Sequence, residues 1–424
     1  MRVFVLNMRG DPLMPCSPRK ARVLLKDGKA KVAKQEPFTI QLTTATGEAK
    51  QPVSLGVDAG SKTIGLSATT EKHVLFEAEV HLRTDMVELL SIRRQYRRSR
   101  RYRKTRYRKA RFQNRKKPEG WLAPSVRNKI EAHVKSVNLA HKILPITQTT
   151  IEVASFDIQE IKNPEISGKE YQEGDQLGFW NVREYVFWRD GHKCQGRKNC
   201  KSKILNVHHI ESRKTGGDAP NNLITLCKAC HDDYHVGKLK LDLKRGNAFR
   251  DAAFMGIMRW TVYNRLRDQY PNVSLTYGYI TKNTRIRNGL EKSHWVDARC
   301  ISGNPLANPL KSWYYFKQVR KQNRQLHKAN TVKGGIRKAN KAPRYVQGFQ
   351  LFDKVRYQGQ DCFIFGRRKS GYFDLRRLDG TKIHASANYK KLIPLERAGT
   401  ILCERRSANS SPCLKTGVSL AHVR

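Results

Sequence analysis

The spacing of hydrophobic and polar positions changes several times along the chain. From Val53, VSLGVDAGSKTIGLSATT carries an apolar run ending at Asp58, a turn at Gly60, and then alternating Ile64, Leu66 and Ala68. That pattern predicts strand, turn, strand. The stretch TTIEVAS, starting at Thr149, predicts a buried strand with one carboxylate, Glu152, among apolar neighbours. EKSHWVDARCI predicts a helix with His294 and Asp297 three apart, and so on one face. A further helix is expected around Ser125 to Leu144, and residues 1–50 read as short strands in a small domain of their own. From about Gly348, apolar and polar residues alternate between regularly spaced glycine turns. This predicts a small antiparallel barrel with Arg367, Arg368 and Lys369 at a hairpin tip. No internal repeat is evident. The mixture points to an α/β multidomain protein, and a length of 424 residues sets a prior of about three domains.

Charge narrows the function. There are 83 Lys and Arg against 36 Asp and Glu, a formal net charge of +47. Such an excess calls for a polyanion, and nucleic acid is the usual one. The block from Leu89 to Pro118 holds fifteen basic residues and no acid, with Tyr96, Tyr102, Tyr107 and Phe112 interspersed. It has no Pro or Gly before Pro118, and Arg and Lys are good helix formers. A helix basic all round cannot pack on an apolar core, so solvent or phosphate must surround it. We read it as a helix that clamps nucleic acid. Its phosphate and base contacts are expected from Arg93, Arg94, Arg97, Arg98, Arg100, Arg101, Arg103, Arg106, Arg108 and Arg111. A second acid-free stretch runs from Ala298 to Phe352. No apolar run approaches the roughly 18 residues of a membrane span. The start MRVFVLNMRGDP lacks a signal peptide's apolar stretch, so a cytoplasmic or nucleoid location is expected and no membrane partner.

Candidate chemistry falls into two groups. Asp58, Glu152 and Asp297 come from three separate segments, two of them apolar. A buried carboxylate is costly unless it is paired or metal-bound. Three acids brought together suit a two-magnesium centre that cleaves phosphodiesters. An Asp-x-Gly turn also occurs in actin-like ATPases, but no later glycine-rich adenosine site accompanies it here.

The second group surrounds LCKACHDDYH, residues 226–235. Cys194 and Cys200, five residues between them, pair with Cys227 and Cys230 as a tetrahedral thiolate site for a structural zinc ion. His208 and His209 are adjacent on an expected strand, and His231 and His235 are four apart on an expected helix face. Together they can hold one divalent ion and leave a histidine free to take a proton from water.

The order Cys pair, His-His, Asn-Leu, Cys pair, His-x3-His resembles the HNH endonuclease module, a ββα-metal fold, over about Asn181 to Lys244. The resemblance implies His209 as general base and Asn222 as the residue that orients it. It implies His208, His231 and His235 as ligands of the ion at the scissile phosphate. Many such modules have Asp where this chain has His208, which leaves the identity of that metal open.

Asp58, Glu152 and Asp297, with His294 beside the last, resemble the three segments of a RuvC-like nuclease of RNase H fold. With PLMP at residues 12–15, the whole order resembles the IscB family of transposon-associated, RNA-guided DNA nucleases related to CRISPR effectors. The resemblance implies an N-terminal PLMP-type domain (1–50), RuvC-like segment I (51–85), an arginine-rich bridge helix (86–118), and a helix with RuvC-like segment II (119–162). A linker (163–180), an inserted HNH domain (181–245) and RuvC-like segment III (246–316) follow. A basic linker (317–347), a β domain that reads a target-adjacent motif (348–402) and a disordered tail (403–424) complete the chain. It further implies one protein chain bound to a structured guide RNA and cutting double-stranded DNA. The HNH centre would cut the guide-paired strand and the RuvC-like centre the displaced one. Two alternatives stand beside this reading: a DNA-only endonuclease or resolvase, and an RNA-binding ribonucleoprotein component without activity.

Overall fold

The computed structural model describes residues 2–101, 121–153, 181–197, 200–212, 220–244, 250–320 and 342–407. Arg103, Arg106, Arg108 and Arg111, the linker 163–180, and most of the basic linker 317–347 lie outside the described residues. The described residues form a mixed α/β protein with several sheets, and the chain divides into two units, Met1–Ala154 with Ile257–Arg424, and Ser155–Gly256.

The first unit opens with β1 (Val3–Leu6), β2 (Pro12–Cys16), α1 (Pro18–Lys26), β3 (Ala30–Lys34) and β4 (Thr39–Leu42), a sheet in the order β2-β1-β4-β3. The short strands are as the sequence reading expects; α1 is an addition to it. Ser17 caps this helix by accepting from the Lys20 amide at 3.3 Å, and Pro18 starts it. Val3, Val5, Leu13, Ala21 and Ile40 form its small core.

The main sheet begins with the antiparallel strands β5 (Ser54–Ala59), β6 (Thr63–Thr69) and β7 (Val74–His81). Helices α2 (Met86–Arg101) and α3 (Pro124–His141) precede β8 (Gln148–Val153), which lies parallel to β5. In α2, Arg93, Arg94 and Arg97 are exposed; Arg98, Arg100 and Arg101 lie in the helix, their side chains outside the described set.

The second unit contains α4 (Val182–Arg189), the antiparallel pair β9 (Leu205–His209) and β10 (Leu223–Cys227), and α5 (Lys228–Val236). Asn181 caps α4 and Gly237, with φ of 82°, ends α5 in the left-handed region.

The chain then supplies α6 (Arg250–Gln269), β11 (Val273–Tyr277), α7 (Gly278–Arg287), α8 (His294–Ile301) and β12 (Ser312–Gln318). Strand β11 runs parallel to β8, and β12 runs parallel to β7. A separate sheet follows: β13 (Lys354–Tyr357), β14 (Gln360–Arg367), β15 (Tyr372–Arg376), β16 (Lys382–Asn388) and β17 (Ile393–Glu396), all antiparallel in the order β16-β15-β14-β13-β17. The last described strand is β18 (Ile401–Ser407).

Two expectations are corrected here. Residues 403–407 do not belong to a disordered tail, and 401–402 do not belong to the C-terminal domain. They form β18, which pairs with β12 from Ile401↔Gln318 to Ser407↔Ser312 and completes the seven-stranded order β11-β8-β5-β6-β7-β12-β18. Leu402, Cys403, Glu404 and Arg406 are buried there, and Arg406 lies 3.9 Å from the Tyr315 ring centroid. An arginine-rich segment thus enters a sheet by stacking and by pairing with Glu404. The second correction concerns the barrel. The five strands form an antiparallel sheet whose ends, β16 and β17, are not paired to each other among the described residues.

The placement of α8 depends on two glycines. Gly56 on β5 and Gly65 on β6 lie under it. A Cβ at Gly56 would stand 1.9 Å from the Ala298 carbonyl oxygen, and one at Gly65 would stand 2.0 Å from that of His294. Any side chain would push the helix off the sheet. Asp58 pairs with Gly65 in register and lies two residues beyond Gly56, so it shares the face that α8 covers.

Candidate active sites

Asp58 and Glu152 sit at the C-terminal ends of neighbouring parallel strands; Val57 pairs with Ile151, which puts the two acids side by side. Asp297 arrives on the first turn of α8, which Ser293 caps. Asp58 and Glu152 are buried, at 8% and 9% exposure. Each acid has a basic partner. His294 Nδ1 lies 2.6 Å from Asp58 Oδ2, an Arg259 terminal nitrogen lies 3.2 Å from Glu152 Oε1, and Arg285 Nε lies 2.9 Å from Asp297 Oδ1. Arg259 Nε also donates to the Ala59 carbonyl at 2.8 Å, so one guanidinium links β5 to β8.

The electrostatics record the crowding. Burial, then the Asp58 charge, raises the Glu152 carboxyl above its ordinary range, against the pull of Arg259. The same two causes, in the same order, raise Asp297 against Arg285. The hydrogen bond to Asp58 raises His294. Like charges held together out of water favour a cation between them. The four residues named from sequence are therefore neighbours. Arg259 and Arg285, which the sequence reading missed, are the groups that balance them. The signal available for Arg259 was indirect: a buried Glu152 demanded a partner.

In the second unit, sulfur atoms of Cys194, Cys200, Cys227 and Cys230 all lie within 4.8 Å of one another. None forms a disulfide, and Cys194, Cys227 and Cys230 are buried beside Leu226. Backbone amides point at the sulfurs: Cys227 N to Cys194 Sγ at 3.1 Å and Cys230 N to Cys227 Sγ at 3.3 Å. Burial opposes ionisation at Cys227, yet the hydrogen bonds from Cys230 and the neighbouring thiols bring it down to about 7. Burial and those same thiols push Cys230 up. Four soft donors turned inward, helped by amide N–H groups, fit a tetrahedral zinc ion.

Nitrogen atoms of His208, His231 and His235 form a second group within 4.8 Å. His208 is buried on β9, while His231 and His235 share one face of α5. Burial, then the fields of His231, His235 and His209, lowers His208 to about 4, which keeps its imidazole neutral and able to ligate. His209 is next on β9 and pairs in register with Leu223. Asn222 is fully buried. Its Oδ1 accepts from the Glu211 amide at 2.8 Å and its Nδ2 donates to the Glu211 carbonyl at 3.0 Å. It therefore fixes the backbone two residues beyond His209.

Arg367 differs from expectation. Arg367 ends β14 with its guanidinium donating to the Phe349 carbonyl at 2.8 Å and to the Arg344 carbonyl. It holds its own domain together and does not stand free at the hairpin tip. Arg368, on the tip, donates to Ser386 Oγ at 2.5 Å. No described helix is long and apolar enough to cross a membrane.

Residues 3–174 match the family described as RRXRR protein, and residues 194–237 match HNH endonuclease. Anaredoxin of Nostoc sp. (strain PCC 7120) is 46% identical over 41 residues, 9% of this chain and 54% of that relative. The chain thus spans about half of the curated relative it matches. Two solved structures of Streptococcus thermophilus Cas9, in complex with GGAA and AGAA PAM, are each 16% identical to it. Their TM-scores are 0.34 and 0.35; they cover 50% and 59% of this chain and are themselves covered over 30% and 32%. An RRXRR domain thus stands ahead of an HNH endonuclease domain in this chain, an order consistent with the IscB family that its sequence resembles.

Proposed function

We propose that this chain is an RNA-guided DNA endonuclease with two independent cutting centres. The observation that carries the proposal is the meeting of Asp58, Glu152, His294 and Asp297 at one end of one sheet, apart in sequence from the His208, His231 and His235 cluster. The order β7-β6-β5-β8-β11, three antiparallel strands continued by two parallel ones, supports an RNase H-like, RuvC-type sheet built from 51–85, 119–162 and 246–316. In that reading 181–245 is the inserted HNH domain, 86–118 the arginine-rich bridge segment that grips RNA, and 348–400 the part that reads the target-adjacent DNA motif, with β18 added to the RuvC-type sheet.

Asp58, Glu152 and Asp297 would hold two magnesium ions, and a third divalent ion would sit on His208, His231 and His235. When bound there, such ions would supply Lewis-acid polarisation of the scissile phosphate. His294, hydrogen-bonded to Asp58, holds a proton at the edge of the acid centre. His209 takes the proton from the attacking water in the HNH centre, and Asn222 keeps the strand end that carries it in place. The four cysteines would hold zinc and staple β10 and α5 to the loop before β9.

The test uses target DNA labelled on each strand and protein isolated with its co-purifying RNA. RNase treatment is expected to abolish site-specific cutting, and sequencing that RNA should give a segment complementary to the cut site. RNA-free protein that cuts the same site equally well would favour the DNA-only endonuclease.

A further inference from the structure

Helix α7 opens beside the acid centre with two tyrosines that the cutting chemistry leaves unused. Tyr277 ends β11 and Tyr279 lies in the first turn of α7. Their rings are nearly parallel, 11° apart, with centroids 6.1 Å from each other. Gly278, between them, comes so near Glu152 that a Cβ there would stand 3.3 Å from Oε1. The backbone that joins the two rings therefore passes beside one of the three acids.

Neither ring is used to build a core. Tyr277 is 39% exposed and Tyr279 66%. Tyr279, Lys282 and Ile286 recur at i, i+3 and i+7, so they form one stripe along α7, and all three are exposed. Thr281 is the buried residue of this helix. GYITKNTRIR contains no acid, while Lys282 and Arg287 are exposed cations. An open aromatic face with lysine and arginine beside it matches the chemistry of an unpaired nucleic-acid strand, whose bases stack and whose phosphates pair with cations. A duplex offers only base edges to such a ring.

We infer that Tyr277, Tyr279 and Lys282 form a platform that docks an unpaired DNA strand and leads it to Asp58, Glu152 and Asp297. The inference rests on reading those acids as a cutting centre, whose substrate is DNA. One base stacks on Tyr279, and Lys282 and Arg287 receive the flanking phosphates.

The experiment uses the full chain, as isolated with its RNA, and single-stranded DNA and RNA oligonucleotides carrying 5-iodouracil, with photo-crosslinking and binding measured in parallel. Adducts are expected on Tyr277 or Tyr279. Tyr279→Ala should weaken DNA binding by about tenfold, and Tyr279→Phe should restore it, since stacking needs the ring and not the hydroxyl. Adducts mapping elsewhere, unchanged binding by Tyr279→Ala, or preferential capture of the RNA oligonucleotide would each overturn the platform. Strand-labelled cutting by Asp58→Ala separates the two ideas. If Asp58→Ala still cuts both strands, the acid-centre reading fails. If it loses one cut while Tyr279→Ala keeps normal crosslinking, only the platform fails.

Discussion

His294 Nδ1 stands 2.6 Å from Asp58 Oδ2, although 236 residues separate them in sequence. The contact joins the first helical residue of α8 to the end of β5, and it ties the third sequence segment to the first. It also locates one of two proposed cutting centres, so the two should be separable by mutation. Asp58→Ala is expected to remove cutting of one DNA strand by at least about a hundredfold and to leave the other strand's cut intact. His209→Ala should do the converse. Strand-labelled nicking assays read both; loss of both cuts from either change would contradict independent centres.

Arg259 is the most exacting partner in the acid centre, because it serves Glu152 and the Ala59 carbonyl at once. Arg259→Met should lower folding stability by about 3–5 kcal/mol, the cost of leaving a buried carboxylate unpaired. Adding Glu152→Gln in the same chain should recover much of that loss. Urea unfolding of the two single variants and the double variant gives the coupling; additive effects would show that the pair is not a unit.

The glycines under α8 make a contrasting prediction. Gly65→Ala places a methyl group 2.0 Å from a backbone oxygen that cannot move alone. It should cost about 1–3 kcal/mol and displace His294 with its helix. Gly47→Ala, with nothing within 4 Å, should be neutral. Thermal unfolding distinguishes them, and equal behaviour would mean that α8 does not rest on β6.

The thiolate cluster should bind about one zinc ion per chain, measured by elemental analysis of purified protein. Cys227→Ser is expected to lose the metal and, with it, the cut made by the HNH centre, while the acid centre continues to nick. Retention of full zinc by that variant would rule out the four-cysteine site.

His133 predicts a pH effect on folding. It is completely buried on α3, with Nδ1 2.7 Å from the Lys129 carbonyl and, among the described residues, no hydrogen-bond partner for Nε2. Burial first, offset in part by that backbone contact, lowers it to about 4 from 6.5. The unfolded chain therefore binds the extra proton between these values, and stability must fall as pH drops from 6.5 towards 4. The loss between pH 7 and pH 5 should be about 2 kcal/mol from this group. His133→Met should flatten that part of the profile in urea titrations; an unchanged slope would assign it to other groups.

The readings that held were local ones. The alternation in VSLGVDAGSKTIGLSATT is enough to fix β5 and β6, because a strand's period of two is written in adjacent residues. C-x2-C and H-x3-H each set two ligands side by side, because their spacings match a turn and a helix face. The buried Glu152 announced that it needed a partner. What the sequence withheld was the partner's identity. Nothing in residues 250–269 distinguishes Arg259 from Arg265 or Arg267; only the packing of α6 sends one of them to Glu152. Likewise CERRS, residues 403–407, reads as the start of a tail until β12 offers it an edge and Tyr315 a ring to stack on. Short-range pattern determines which strands and helices can form and which ligands travel together. Long-range packing decides which of many identical charges is buried, because that choice depends on the surfaces brought together and not on neighbours in the chain.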